Sequence, residues 1–115
     1  MAGILLWTRK DGQTLHLFRK IQGKFRDIGG KLTSMDEMDS AIAAFCKELP
    51  LFTPEVLYWH IVNCSHLQYI QRSNYFVFRV WCDPSVVSVL PDGYQWRRGR
   101  PYKLHSRLRG VLMDD

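Results

Sequence analysis

Two rhythms of apolar and polar residues run along this chain. Gly3 to Thr8 is a nearly unbroken apolar and aromatic run, the signature of a buried strand. Lys10-Asp11-Gly12-Gln13 then marks a tight turn of the Asp-Gly type. Thr14 to Ile21 alternates loosely and predicts the second strand of a hairpin. Gln22-Gly23-Lys24 turns the chain again, and Phe25 to Ile28 reads as a short extended piece ending at Gly29-Gly30. After a polar loop over Lys31 to Asp36 the rhythm changes. Met38, Ala41, Ile42, Phe45 and Leu49 recur at helical spacing and predict one amphipathic helix from Glu37 to Leu49, stopped by Pro50.

Beyond Pro50, Glu55 to Asn63 is rich in Val, Tyr, Trp and Ile and reads as a strand, as does Leu67 to Gln71. Tyr75 to Cys82 is the clearest strand of the chain. Asp83-Pro84 and Pro91-Asp92-Gly93 mark loops, and Tyr94 to Arg97 predicts a last short strand. Pro101 fits the first turn of a closing helix whose buried face would be Leu104, Leu108, Val111 and Leu112. Strands, one helix, strands, one helix is an α+β order with a mixed sheet, and neither a P-loop nor a dinucleotide fingerprint is present.

Length allows one domain over residues 1–115. A hydrophobic content of 46% against 23% charged residues places it with globular chains, and no apolar run is long enough to cross a bilayer, so no membrane partner is expected. The apolar N-terminus lacks a basic leader and reads as a strand rather than a signal peptide. Cys46, Cys64 and Cys82 show no zinc-like spacing. Their odd count fits free, buried thiols in a reducing compartment, hence an intracellular, cytoplasmic protein. The net charge of +5 is gathered in two groups. One comprises Arg9, Lys10, Arg19, Lys20, Lys24, Arg26 and Lys31; the other comprises Arg97, Arg98, Arg100, Lys103, Arg107 and Arg109. Such clustering favours anionic partners, although it also serves solubility. His16, His60, His66 and His105 share no metal-binding spacing.

The order of elements, with Gly29-Gly30-Lys31 just before the central helix, resembles the Nudix hydrolase family over almost the whole chain. Ile4-Leu5-Leu6-Trp7 and Leu15-His16-Leu17-Phe18-Arg19-Lys20 resemble the family's first hairpin. Phe25-Arg26-Asp27-Ile28-Gly29-Gly30-Lys31 resembles the approach to the Nudix box, Tyr75-Phe76-Val77-Phe78 a later strand, and Gly93-Tyr94-Gln95-Trp96 the segment before the closing helix. The resemblance implies an α/β/α sandwich of Nudix type. It also implies a box helix whose Arg-Glu and Glu-Glu residues hold divalent metals.

The box is degenerate here. In an ungapped register Ala44-Phe45 fall on Arg-Glu, and Phe45 lands on a polar face. With the loop one residue shorter, Ala41-Ile42-Ala43-Ala44-Phe45-Cys46-Lys47-Glu48 overlays the box and its apolar stripe, and this register is preferred. Arg-Glu then becomes Ala43-Ala44, Glu-Glu becomes Lys47-Glu48, and the closing Gly becomes Pro50. Three functions follow as expectations. A catalytically impaired Nudix-like module would bind a nucleotide or RNA without a cofactor. Lys31, Arg19, Phe25, Tyr75 and Trp96 would be its ligand residues, and Arg97, Arg98, Arg100 and Lys103 its basic patch. Phe18 is a further stacking candidate, and core packing is the competing role for each aromatic. A scaffold or homodimer would use exposed aromatics among Tyr58, Trp59, Tyr69 and Trp81. A noncanonical Mg²⁺- or Mn²⁺-dependent hydrolase of nucleoside diphosphate derivatives would use Glu48 with Asp36, Glu37 or Asp39.

Overall fold

A computed structural model describes residues 2–30, 36–71, 74–86, 90–99, 101 and 103–109, with Arg107 described by its backbone. The expected first hairpin is present. β1 (Ala2–Lys10) and β2 (Gln13–Ile21) pair antiparallel from Trp7↔His16 to Lys10↔Gln13. Asp11 and Gly12 link them at φ 54° and 76°, the left-handed pair that matches the twist of a two-residue hairpin. Gln22 and Gly23, at φ 51° and 76°, repeat that turn into β3 (Lys24–Arg26).

The single extended piece expected near Phe25 is two strands broken at Asp27. β3 pairs with β2, whereas β4 (Ile28–Gly30) crosses over to pair with β1. Both pairings are antiparallel. They occupy the same edges of β1 and β2 that meet in the hairpin, because the opposite edges hold β6 and β7. Residues 24–30 are therefore a wedge driven between the diverging halves of β1 and β2. β6 (Tyr75–Trp81) lies parallel to β1, β5 (Ser65–Ile70) pairs antiparallel with β6 at the sheet edge, and β7 (Tyr94–Arg98) pairs antiparallel with β2. The result is a mixed sheet with two helices, the expected α+β class.

Helix α1 (Glu37–Glu48) forms where the apolar stripe predicts it. Asp36 caps it, its Oδ1 accepting from the Asp39 backbone N–H at 2.8 Å, and Glu37 and Asp39 complement the positive helix start. Ala41, Ile42, Phe45 and Leu49 sink into the core with Ala2, Ile4, Leu6, Leu17 and Ile28.

The strand expected over Glu55–Asn63 is instead helix α2 (Pro54–Cys64). Thr53 caps it by accepting from Val56 N–H at 3.3 Å, Pro54 takes the first turn, and Leu57 and Ile61 bury one stripe four residues apart. Capping and spacing thus outweigh the β-propensity of Val, Tyr, Trp and Ile. The expected closing helix also differs. Among described residues it is a bridge between Phe25 and Leu104 followed by a 3-10 turn over Ser106–Leu108. Leu104 and Leu108 are nevertheless buried, against Leu5, Phe18, Phe25, Tyr75 and Val77 on the sheet face away from the helices. Val111 and Leu112 lie outside the described residues. No described helix is long and apolar enough to cross a membrane.

Candidate functional site

Strand alternation sends Arg19 to the helix side of the sheet, where its guanidinium forms an ion pair with Glu48 at the end of α1. Glu48 is largely covered, with 17% of its side chain exposed. One and two turns before it on the same face stand Ala44 and Ser40. Ala44 packs toward Gly30, where a Cβ would sit 3.4 Å from the Ala44 methyl. Trp96 is half-buried on this side, beside Leu17, and its indole Nε1 has no hydrogen-bond partner among the described residues. Asp36 is committed to its own helix cap. Glu37 lies eleven residues, about 16 Å along the helix axis, from Glu48.

This donor set does not fit a divalent metal of the kind a Nudix box holds. Mg²⁺ takes about six oxygens at near-octahedral angles. Here the one carboxylate at the box position faces a guanidinium, with a methyl group and a hydroxyl at the preceding turns. The described residues hold no group of three His, Cys, Asp or Glu able to clasp a metal. Of the chain's acidic residues, the two outside the described part are Asp114 and Asp115.

A cluster of positive charge lies on the opposite face of the sheet. Phe25, buried at 6% exposure, is capped by two cations: Lys20 Nζ lies 5.5 Å from its ring centroid and the Arg97 guanidinium 4.9 Å. The closing segment is tied alongside. Phe25 N–H donates to Lys103 O at 2.8 Å, and His105 N–H donates to Phe25 O at 2.7 Å. Between the Gln22-Gly23 turn and this segment opens a cleft of about 510 Å³, lined by Gln22, Gly23, Lys24, Lys103, Leu104 and Arg109. Its lining has three cationic residues and no acidic one. Arg98 lines a separate hollow of about 250 Å³ with Gln13, Thr14, His16 and Gly99.

The candidate residues therefore divide between two faces. Arg19, Trp96 and Glu48 share the helix side; Phe25, Arg97 and Lys103 share the basic side. Tyr75 is in the core, fully buried, donating its hydroxyl to Asp27 Oδ2 at 2.5 Å. Phe18 is also fully buried, with its ring centroid 5.8 Å from that of Phe25. Lys31 and Arg100 lie outside the described residues. Lys20, Lys24 and Arg109 join the basic face although sequence reasoning counted them only as charge. Their signal was the turn at Gln22-Gly23, which brings Lys20 and Lys24 to one end of a hairpin.

Asp27 was also missed. It is 1% exposed, and its carboxyl and the Tyr75 hydroxyl fill space that two facing glycines leave open. A Cβ on Gly3 would lie 1.8 Å from Asp27 Oδ2, and one on Gly29 would lie 2.5 Å from the Tyr75 hydroxyl. His16 is buried with Nε2 3.2 Å from an Arg79 guanidinium nitrogen. Because a guanidinium only donates, Nε2 accepts and the ring proton is assigned to Nδ1.

No family model matches the sequence, and no curated protein matches it. The fold does match solved structures. A crystal structure of the C. elegans Ap4A hydrolase, a Nudix family enzyme, superposes with a TM-score of 0.54 at 14% identity, covering 84% of this chain and 77% of that one. A crystal structure of a binary complex of the C. elegans Ap4A hydrolase gives 0.49 at 16% identity, over 84% and 76%. The likeness is one of fold.

Proposed function

We propose that this Nudix-like chain is a non-hydrolytic module that binds RNA by its phosphates through the basic face. The observation that carries the reading is the cleft of Lys24, Lys103 and Arg109 beside Lys20 and Arg97 on Phe25. Five cations gathered around Phe25 and the cleft beside it exceed what a single nucleotide's phosphates meet, so a strand is the better fit than a mononucleotide. With the Phe25 ring already capped, affinity comes from phosphate contacts rather than base stacking, and sequence preference is weak. The loss of hydrolysis follows from the helix side. Glu48 is held by Arg19, and Ala44 and Lys47 stand where the box would supply carboxylates.

The test is fluorescence anisotropy with a labelled single-stranded oligoribonucleotide over a salt series. Five phosphate contacts give a slope of log affinity against log salt of about −3.5, a loss of roughly a hundredfold between about 50 and 200 mM. Joint replacement of Lys24, Lys103 and Arg109 by Ala brings that slope up by about two. Salt-insensitive binding, or none, refutes the RNA reading. The hydrolytic half is checked separately with Mg²⁺ or Mn²⁺ on Ap4A, nucleoside diphosphate derivatives and capped RNA. Turnover that disappears in Glu48→Gln would make the protein an enzyme with a rebuilt metal site.

A further inference from the structure

The exposed large hydrophobic side chains of the described residues are Val56, Tyr58, Trp59, Val62, Leu67 and Tyr69. All six belong to α2 and β5, which follow each other without a loop, since α2 ends at Cys64 and β5 begins at Ser65. Trp59 and Val62 are each 56% exposed, more than a helix facing water alone would be expected to leave uncovered. β5 pairs with β6 and with no other described strand, so its outer edge presents free backbone donors and acceptors. Natural edge strands are normally blunted by charge, proline or a bulge. Ser65-His66-Leu67-Gln68-Tyr69-Ile70 carries no Lys, Arg, Asp, Glu or Pro, and it pairs in unbroken register with β6.

Charge decides the occupant. The chain has 16 Lys and Arg, yet residues 49–71 contain none, and Glu55 is their one acid. A nucleic acid or an anionic lipid surface would be drawn to the basic faces and not to this stretch. Two copies of a chain with net charge +5 repel each other over most of their surface, and this neutral stretch is where they approach at least cost. An edge strand also meets its own copy antiparallel about a two-fold axis, which satisfies both edges and closes the assembly.

We propose that two copies of this chain form a two-fold dimer by pairing β5 with β5 and burying the apolar face of α2. Leu67 and Tyr69 stand opposite Phe78 and Phe76 of β6, so they project from the helix side of the sheet, where α2 lies. The pairing thus extends the sheet and joins the two α2 faces in one apolar contact. The basic cleft belongs to the other side and is not covered, so the two proposals stand or fall separately.

Sedimentation velocity over a dilution series tests this. The expected mass is twice 13.5 kDa, falling to 13.5 kDa in the Leu67→Lys/Tyr69→Lys chain and separately in Trp59→Lys. Thermal melting checks that these exposed substitutions leave the fold intact. Leu67→Cys reads the strand contact itself, because mild oxidation is expected to give a covalent dimer that the wild-type cysteines do not. Wild-type protein that stays monomeric at every concentration overturns the proposal. So does a dimer that survives both charge variants. A monomer that floats with neutral phosphatidylcholine vesicles overturns it too, by giving the face to lipid.

Discussion

Tyr75→Phe removes a single oxygen atom, and the structure says what that atom does. The hydroxyl lies at 0% exposure and donates to Asp27 Oδ2 at 2.5 Å, and Asp27 is itself 1% exposed. Removing the donor takes one hydrogen bond from a buried carboxyl where water does not replace it, at a cost of about 1–3 kcal/mol. For a domain of this size each kcal/mol moves the melting temperature by about 4 °C, so the variant is expected to melt roughly 4–12 °C lower. Tyr69→Phe, melted at a dilution that keeps the chain monomeric, is the matched control. Its hydroxyl also donates to one side chain, Asn74 Oδ1 at 2.7 Å, but at the surface, where water takes over. That change is expected to stay within about 0.5 kcal/mol. Both variants are followed by circular dichroism melts in one buffer. If they melt together, the Asp27–Tyr75 contact is not a buried bond of the folded protein, and the reasoning about the two glycines fails with it.

Two further predictions concern the core. Gly3→Ala sets a methyl 1.8 Å from Asp27 Oδ2 and 2.2 Å from the Tyr75 hydroxyl, so it is expected to destabilise more than Tyr75→Phe in the same melts; an equal or smaller loss would show that the pair can step aside. Burial, with a smaller push from the Asp83 charge, raises the Cys82 thiol to about 12 from 9.0. A group with a raised folded-state pKa adds stability that is complete below the unfolded value and is lost as pH climbs from about 9 toward 12. Cys82 is therefore expected to resist iodoacetamide at pH 8 until denaturant is added, as read by peptide mass spectrometry. Prompt alkylation in the native state contradicts its burial.

The sheet was legible wherever local signals agreed. Asp11-Gly12 and Gln22-Gly23 name their turns, and the Met38 to Leu49 stripe names α1, because each depends on residues a few positions apart. α2 was misread because Val56, Tyr58, Trp59, Ile61 and Val62 favour strands, while the contrary signal was confined to Thr53-Pro54 and to the spacing of Leu57 and Ile61. Asp27 was passed over because its partner is 48 residues away in sequence. The basic face was half legible. Charge clustering is visible in the chain, but only the Phe25–Leu104 bridge sets Lys103 beside the Gln22-Gly23 turn. The fate of Glu48 was not legible at all, since nothing local ties it to Arg19 on β2.

The wedge of residues 24–30 also bears on how the chain is made. β1 and β2 can close as soon as both have left the ribosome, and the wedge completes one edge of β1 a few residues later. The other edge of β1 waits for β6, more than seventy residues downstream by the Ala2↔Phe76 pairing, and the outer edge of β2 waits still longer for β7. At about 5–20 residues per second, the run Ala2-Gly3-Ile4-Leu5-Leu6 spends seconds with an unpaired, uncharged margin. Nascent chains arrested between β4 and β6 are the ones that a holdase chaperone should grip, and release should follow once Trp81 is out.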